Sequence, residues 1–248
     1  MQLFIILFVI VIVVVVALRL AFSPKSSVRV IPTPPSAKPS KTATTTSAAS
    51  VDLSMLPRQF IVLDLETTGL DTVRHEIIEV GAIRVSVDSD SHATFQALVK
   101  PEKKIPKRIT ELTGITQDMV DREGESLADV LAAFIEFASD LPLVTFNADF
   151  DLGFLQNAAS RHGLVIANRY TCALKMARRA WPGLPSYRLK DLAEMGNLSA
   201  EDTHRALGDC KRAALVFTSA ASKLGKKIRW SKLPVEQNAR HRAAAAAE

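Results

Sequence analysis

The sequence FIVLDLETTGL at positions 60–70 decides the fold of this 248-residue chain. Four apolar residues lead into Asp64 and Glu66, and a Thr-Thr-Gly turn ends the pattern. A continuous apolar run that stops at a glycine turn predicts a strand buried on both faces. Because alternate residues of a strand point to the same side of the sheet, the two carboxylates are expected to lie side by side.

Neighbouring buried carboxylates repel each other unless a positive charge lies between them. A bound divalent metal would supply that charge, so Asp64 and Glu66 are candidate metal ligands. The alternative is an edge strand whose acidic side chains are solvated. The spacing of these two residues alone does not distinguish the two interpretations.

Two later segments add acidic residues of the same kind. The largely apolar residues 143–146 (LVTF) predict another strand, which runs into a polar turn and a helix and places Asp151 just past the strand's end. Further on, His204 and Asp209 are five positions apart, just over one helical turn, which predicts neighbouring places on one helix surface. Three separate segments therefore each present an acid, and one of them adds a histidine. This convergence favours the metal site.

The three segments resemble the motifs of the DEDDh exonucleases. These are the DnaQ-like 3′-to-5′ exonucleases, a group that includes the proofreading epsilon subunit of bacterial DNA polymerase III. DLETTG at 64–69 resembles the first motif, NADFD at 147–151 the second and HRALGD at 204–209 the third. His204 stands where the histidine subgroup has its histidine and its relatives have tyrosine.

Supporting similarity extends the resemblance over residues 58–222. It lies in IIEVGA at 77–82, ITELTGI at 109–115 and PGLPSYRL at 182–189. One position departs from the family pattern, because the asparagine of the second motif commonly follows a histidine and here follows Phe146. That position is not a metal ligand in the family, so the departure concerns substrate contacts.

The resemblance implies a two-metal phosphodiester hydrolase. Hard cations such as Mg²⁺ or Mn²⁺ favour oxygen ligands, and two of them would be held by Asp64, Glu66, Asp151 and Asp209. His204 would take the proton from the attacking water, for which an ordinary histidine pKa of about 6.5 is suited. The implied contacts to the terminal nucleotide come from Thr67, Leu70, Asn147 and Phe150.

Two points about the substrate stay open. Phe150 either lines the base pocket or packs inward beside Asp151, and packing in the core is the preferred interpretation. The partners that the resemblance implies are the 3′ ends of single-stranded DNA or RNA, and the motifs do not separate these two.

Apolar periodicity predicts a meander of strands followed by helices that alternate with strands. Such an order gives an α/β fold with a mixed sheet covered by helices, and the family resemblance implies a ribonuclease H-like sheet of five strands. After the first strand, strands are predicted at 76–87, 94–99, 141–146 and near Tyr170. Helices are predicted at 127–138, 148–161, 173–179, 189–194 and 200–222.

The first 22 residues predict a single transmembrane anchor. Residues 3–18 are apolar without interruption and the pattern continues past Arg19, and a helix of about 20 residues spans the roughly 30 Å of a bilayer core. A cleaved signal peptide is the alternative, but no Lys or Arg precedes the run and no small-residue cleavage site follows it. The basic residues, Arg19 first, lie after the apolar core of the span and none precedes it. The positive-inside rule therefore predicts a protein of the inner (cytoplasmic) membrane with its catalytic domain in the cytoplasm.

Four regions follow from these patterns. Residues 1–22 are the anchor, and residues 23–56, rich in Pro, Ser and Thr, predict a disordered linker. Residues 57–225 form the predicted exonuclease domain, and residues 226–248 form a basic and Ala-rich tail in which Trp230 and Leu233 could attach to the domain.

The sequence thus predicts a membrane-tethered, metal-dependent 3′-to-5′ exonuclease. A loose association with a polymerase stays open. The alternative is a catalytically silent, membrane-tethered module that binds nucleic acid or recruits a polymerase, because a tether is unusual for a replicative proofreader. Four converging carboxylates argue against that alternative, since a silent domain has no use for them.

Overall fold

The computed structural model describes residues 56–196, 204–225 and 228–233. Within these residues, one six-stranded sheet carries helices on both of its faces. The strands are β1 (Gln59–Thr67), β2 (Ile77–Ser86), β3 (Ala93–Leu98), β4 (Leu143–Thr145), β5 (Arg169–Cys172) and β6 (Ser231–Lys232). The helices are α1 (Lys107–Thr113), α2 (Gln117–Glu123), α3 (Leu127–Ala138), α4 (Ala148–Arg161), α5 (Ala173–Ala180), α6 (Leu189–Met195) and α7 (Ala206–Leu224).

The sheet is mixed, with the strand order β3-β2-β1-β4-β5-β6. Strands β1, β2 and β3 form an antiparallel meander, while β4 and β5 run parallel to β1. The short strand β6 pairs antiparallel with β5 at the edge. The predicted α/β fold with a mixed sheet is confirmed, and β1 lies near the middle of the sheet.

The apolar part of β1, residues 60–63, is fully buried because both faces of the strand are covered. Ile61, Leu63 and Leu65 pack against α3 and α4 on one face. Phe60 and Val62 pack against α5 and α7 on the other, where the rings of Phe60 and Phe217 meet edge-on with centroids 5.1 Å apart. Asp64 and Glu66 continue the second series, so the alternation that buries Phe60 and Val62 also directs the two carboxylates towards α7.

The long periodic segments were predicted closely. Helices α3 and α4 have the predicted bounds, and β2 and β3 begin and end within one residue of theirs. Helices α1 and α2 were not predicted. Each has seven residues, and their buried apolar side chains are Ile109 and Val120 respectively, which is too few to produce a helical period.

The prediction of five strands is wrong by one. The sixth strand, β6, is only two residues long and lies in the segment that the sequence assigns to the tail. Two contacts hold this segment on the domain: the Trp230 ring lies 6.0 Å from that of Phe217, and Leu233 is buried. Two residues are too few to show the apolar alternation of a strand, so β6 is defined only by its pairing with β5.

Helix α7 begins later than predicted. The described part of the predicted helix 200–222 is helical only from Ala206, and residues 200–203 lie outside the described residues. His204 precedes the helix in a left-handed conformation with φ of 63°. The prediction that His204 and Asp209 share one helix surface is therefore wrong, and the contacts that start the helix at Ala206 explain why.

No helix in the described part of the chain is long and apolar enough to cross a membrane. The predicted anchor at 1–22 lies outside the described residues, as do the predicted linker up to residue 55 and the chain after Leu233.

Candidate active site

Three carboxylates meet beyond the middle of β1. Asp64 and Glu66 come from β1 itself, and Asp209 comes from the first turn of α7, which packs on the same face of the sheet. One oxygen atom from each of the three lies within 4.8 Å of the others. This spacing and the all-oxygen donor set fit a hard divalent cation.

Asp151 brings a fourth carboxylate to the same place. It lies in the first turn of α4, which starts where β4 ends, and its backbone N–H donates to the Asn147 carbonyl at 3.2 Å. The residue is 3 % exposed. Burial raises the pKa of Asp151 to about 7, although hydrogen bonds from backbone N–H groups, including that of Leu65, oppose the rise.

The four carboxylates perturb one another. Burial raises the pKa of Asp64 well above its ordinary value, and the charges of Asp151, Asp209 and Glu66 raise it further. Burial also raises the pKa of Glu66 to about 8, with Asp209 as the largest charge contribution. Shifts of this size are typical of functional sites. The cluster therefore retains protons at neutral pH unless a cation compensates its charge.

Arg212 supplies part of that compensation, and sequence reasoning missed it. Its guanidinium Nη1 donates to Asp209 Oδ1 at 2.7 Å, one turn apart on α7, and its side chain is 4 % exposed. Burial raises the pKa of Asp209, and the charge of Arg212 opposes that rise. The only sequence signal was a charged residue on the otherwise apolar face of an amphipathic helix.

A fifth carboxylate, Glu79, was also missed as a site residue. It lies directly opposite Glu66 in the antiparallel pairing of β1 and β2, and it is fully buried. Its carboxylate accepts hydrogen bonds from Arg205 Nη2 at 2.6 Å and from the Ala206 backbone N–H at 3.0 Å. The charge of Glu79 raises the pKa of Glu66 and that of Arg205 lowers it. A glutamate within the apolar run IIEVGA was the available signal.

The start of α7 packs tightly against β2. A Cβ atom on Gly81 would lie 2.7 Å from the backbone of Ala206 and Leu207, so this approach requires glycine. The Asp209 backbone N–H then donates to the Arg205 carbonyl at 3.0 Å, inside the first turn. Residues 205 and 206 are thereby anchored to β2, and the helix presents Asp209 to β1.

His204 lies immediately before this anchored turn. Its backbone N–H donates to the Asp209 carboxylate and its charge lowers the pKa of that group, so it borders the acidic cluster. The residue is exposed to solvent. An imidazole at the edge of a carboxylate cluster, open to water, is suited to accept a proton from that water.

The turn after β1 is held by its own hydrogen bonds. The Thr67 hydroxyl donates to the Gly69 carbonyl at 2.6 Å, and the Thr68 hydroxyl accepts from the Glu76 backbone N–H at 2.9 Å. Leu70 projects from this turn with 81 % of its surface exposed. Thr67 is buried and shapes the turn, whereas Leu70 presents an apolar side chain to solvent four positions after Glu66.

The other predicted substrate residues flank α4. Asn147 precedes the helix and is exposed, and its side chain makes no capping hydrogen bond among the described residues. Phe150 is half-buried, and its ring packs 5.0 Å from that of Phe154 against the core, as preferred from the sequence. Phe146 packs into the opposite core layer, and its carbonyl accepts from the Leu174 N–H at 3.0 Å.

Comparison with known sequences supports a nuclease. The family model named RNase T and described as Exonuclease matches residues 61–217. The DNA polymerase III epsilon subunit of Aquifex aeolicus is 35% identical over 172 residues, which cover 69% of this chain and 84% of that protein. The PolC-type DNA polymerase III of Caldanaerobacter subterraneus subsp. tengcongensis is 37% identical over 169 residues, or 68% of this chain. The chain spans only 12% of the length of that second relative.

Two solved structures share the fold. Exonuclease X in complex with 5′ overhanging duplex DNA has a TM-score of 0.53 at 25% identity, covering 73% of this chain and 98% of that one. Escherichia coli Exonuclease I in complex with a dA16 oligonucleotide has a TM-score of 0.57 at 20% identity, and the match covers 68% of this chain and 41% of Exonuclease I. The sheet and its flanking helices are therefore those of a ribonuclease H-like exonuclease. With the matched family model and the carboxylates gathered at β1, these findings show that the chain belongs to the RNase T family of DnaQ-like exonucleases, as does the epsilon subunit of DNA polymerase III.

Proposed function

We propose that this protein is a metal-dependent 3′-to-5′ exonuclease that releases nucleoside 5′-monophosphates from the ends of DNA or RNA. The observation that carries the proposal is the convergence of carboxylates from β1, α4 and α7 on one place. Burial and mutual repulsion raise their pKa values to a degree that a cation would relieve.

Each residue has a role that its position supports. Two divalent cations, Mg²⁺ or Mn²⁺, would activate water and neutralise charge on the phosphate when bound. The ligands would be Asp64, Glu66, Asp151 and Asp209, of which three already have oxygens within 4.8 Å of one another. His204, exposed beside Asp209, would accept the proton from the attacking water.

The substrate is proposed to be a single-stranded 3′ end. Leu70, exposed on a hydrogen-bonded turn, would press against the terminal base, while Asn147 at the start of α4 would contact the same nucleotide. The structurally similar Exonuclease I has been solved with dA16 and Exonuclease X with 5′ overhanging duplex DNA, which supports a nucleic-acid substrate here. A loose association with a polymerase is proposed from the epsilon and PolC-type relatives.

The chain is further proposed to be tethered to the inner membrane through residues 1–22. The support is the uninterrupted apolar run at 3–18 and the basic residues after it. The linker predicted over residues 23–56 from their Pro, Ser and Thr content would leave the catalytic domain free to reach nucleic-acid ends in the cytoplasm.

Residues 52–248 with Mg²⁺ should shorten a 5′-labelled single strand stepwise from its 3′ end. Matched DNA and RNA oligonucleotides, resolved as ladders, would also reveal the preferred nucleic acid. Asp64→Asn should abolish turnover because a metal ligand is lost, whereas Asp88→Asn, an exposed acid paired with Arg58 at 2.7 Å, should retain it. Tight binding without release of mononucleotides in either Mg²⁺ or Mn²⁺ would instead establish the silent binding module.

The metal-free protein should lose stability as the pH rises from about 4.5 to about 8. The pKa of Glu66 in the folded state is about 8 and its ordinary value is 4.5, so between these pH values the folded protein keeps a proton that the unfolded chain has released. The free energy of unfolding therefore falls as the pH rises through this range. In EDTA, Glu66→Gln should therefore unfold at a higher temperature than the wild type at about pH 8 and at the same temperature at about pH 4. If the variant and the wild type unfolded at the same temperature at both pH values, ionisation of Glu66 would not destabilise the folded protein.

His204→Ala should lower kcat by about 10² to 10⁴, the usual value of general-base assistance. Metal-dependent substrate binding should stay the same, since His204 is not proposed as a ligand. Single-turnover rates and oligonucleotide affinity with Mg²⁺ would be measured together, with His162→Ala, an exposed histidine outside the cluster, as the control. An equal loss of binding and rate would identify His204 as a structural residue.

Deleting residues 1–22 should move the protein from the membrane fraction to the soluble fraction with unchanged turnover on short oligonucleotides. The reason is that the anchor is separated from the catalytic domain by the linker. Fractionation and N-terminal sequencing of the full chain provide the measurement. An N-terminus trimmed after residue 22 would show that the apolar run is a removed signal.

A further inference from the structure

Two glutamates face each other across the central antiparallel pair of strands. Glu66 on β1 is the cross-strand partner of Glu79 on β2. Like charges in direct opposition destabilise a sheet. Glu79 nevertheless lies fully buried, and it is not one of the three carboxylates whose oxygens meet within 4.8 Å.

Four donors hold the Glu79 carboxylate. Arg205 approaches it with both Nε and Nη2, the latter at 2.6 Å, and the Ala206 backbone N–H reaches Oε2 at 3.0 Å. Gln96 Nε2 from the neighbouring strand β3 donates to Oε1 at 2.9 Å. With its oxygens engaged in this way, Glu79 is not among the three carboxylates whose oxygens converge, although its side chain is next to Glu66.

The same contacts define where α7 begins. Arg205 is the residue before the first helical one, and Ala206 is the first. Both are bound to one carboxylate that belongs to β2, and the glycine at position 81 allows the helix to approach within contact distance. His204 precedes this anchor by one position, and Asp209 follows in the first turn, hydrogen-bonded to the Arg205 carbonyl.

We propose that Glu79 and Arg205 form a positioning pair for the active site. The pair sets the start of α7 so that Asp209 reaches the other carboxylates of the site and His204 borders them. It also keeps the carboxylate of Glu79 from becoming a metal ligand. This inference rests on the proposed exonuclease function, because it assigns the pair a role through His204 and Asp209. Neither Glu79 nor Arg205 is proposed to touch the metal or to take part in the chemistry.

A stabilising role alone does not account for the pair. Buried ion pairs are commonly no more stabilising than apolar side chains of the same volume, because desolvation offsets the attraction. An apolar pair, however, could not accept the hydrogen bond from the Ala206 backbone N–H, which fixes the position of the first helical residue. The expected signature is therefore a loss of turnover that exceeds any loss of stability.

The test uses the full chain with the variants Arg205→Lys, Arg205→Met, Glu79→Gln and the double variant Glu79→Gln/Arg205→Met. The matched control is Arg58→Met, which removes an arginine from an exposed pair with Asp88; the two residues lie just outside β1 and β2. For each protein, kcat and KM on a single-stranded oligonucleotide, Mn²⁺ affinity and the unfolding temperature would be measured. Arg205→Lys and Glu79→Gln keep the test decisive if Arg205→Met does not fold.

Arg205→Met should lower kcat by about 10- to 100-fold, since a displacement of about 1 Å costs that much in a preorganised site. KM should stay within about twofold of the wild-type value. Mn²⁺ affinity should fall, because Asp209 moves with the helix, and Arg205→Lys should restore part of both losses. The double variant should be no worse than the worse single variant, because residues that act as one unit are not additive. Arg58→Met should leave all four quantities unchanged.

Three results would overturn the proposal. An unfolding temperature that falls while kcat per folded molecule is unchanged would reduce the pair to a structural contact. A higher KM at unchanged kcat would make Arg205 a substrate-binding residue. Additive losses in the double variant would show that the two residues act independently. If the wild type itself has no turnover, the proposed function fails, and the Mn²⁺ affinities of the variants then decide the positioning role by themselves.

Discussion

The repulsion among four carboxylates beyond the middle of β1, one of them buried and three half-buried, is the constraint on which the rest of this structure depends. Asp64 and Glu66 lie on a strand that both core layers cover, and Asp151 and Asp209 are brought to them by helices from opposite faces of the sheet. Apolar surroundings make each of these charges costly. The site is consequently a strained arrangement that protons, cationic side chains or a divalent cation must relieve, and this strain links the fold to metal-dependent chemistry.

Two arginines bind carboxylates in and beside this cluster, and they have different effects. Arg212 binds Asp209 within the same helix and offsets the charge of a proposed ligand. Arg205 binds Glu79 between a helix and a strand, so it adds an ion pair to the contacts that join α7 and β2. The Arg212–Asp209 interaction lowers the pKa of a carboxylate, and the Arg205–Glu79 interaction fixes the position of helix α7. Both are needed for a site assembled from three elements, since a ligand must have the right charge and also the right place.

Much of the site could be predicted from the sequence because the signals were local. The alternation along β1 placed Asp64 and Glu66 on one face, the apolar period over residues 127–138 located α3, and the strand that runs into a polar turn and a helix located Asp151. Where the period was too short, prediction failed. Helices α1 and α2 have too few buried apolar residues to show one, and β6 consists of two residues. The start of α7 was placed too early because the residues before Ala206 are compatible with a helix and only a tertiary contact ends it there.

The sequence by itself determined the family, the order of the acidic motifs and the strand that carries the first two carboxylates, because alternation and helical spacing act over a few residues. Only the tertiary structure decided that Glu79 binds the start of α7, that Arg205 anchors this helix and that His204 lies before the helix and not on it. Glu79 and Arg205 are 126 positions apart in the chain. No local pattern relates two residues at that separation. Their meeting follows from the packing of α7 on β2 at Gly81, where the missing side chain lets the two backbones come close enough for one carboxylate to bind both.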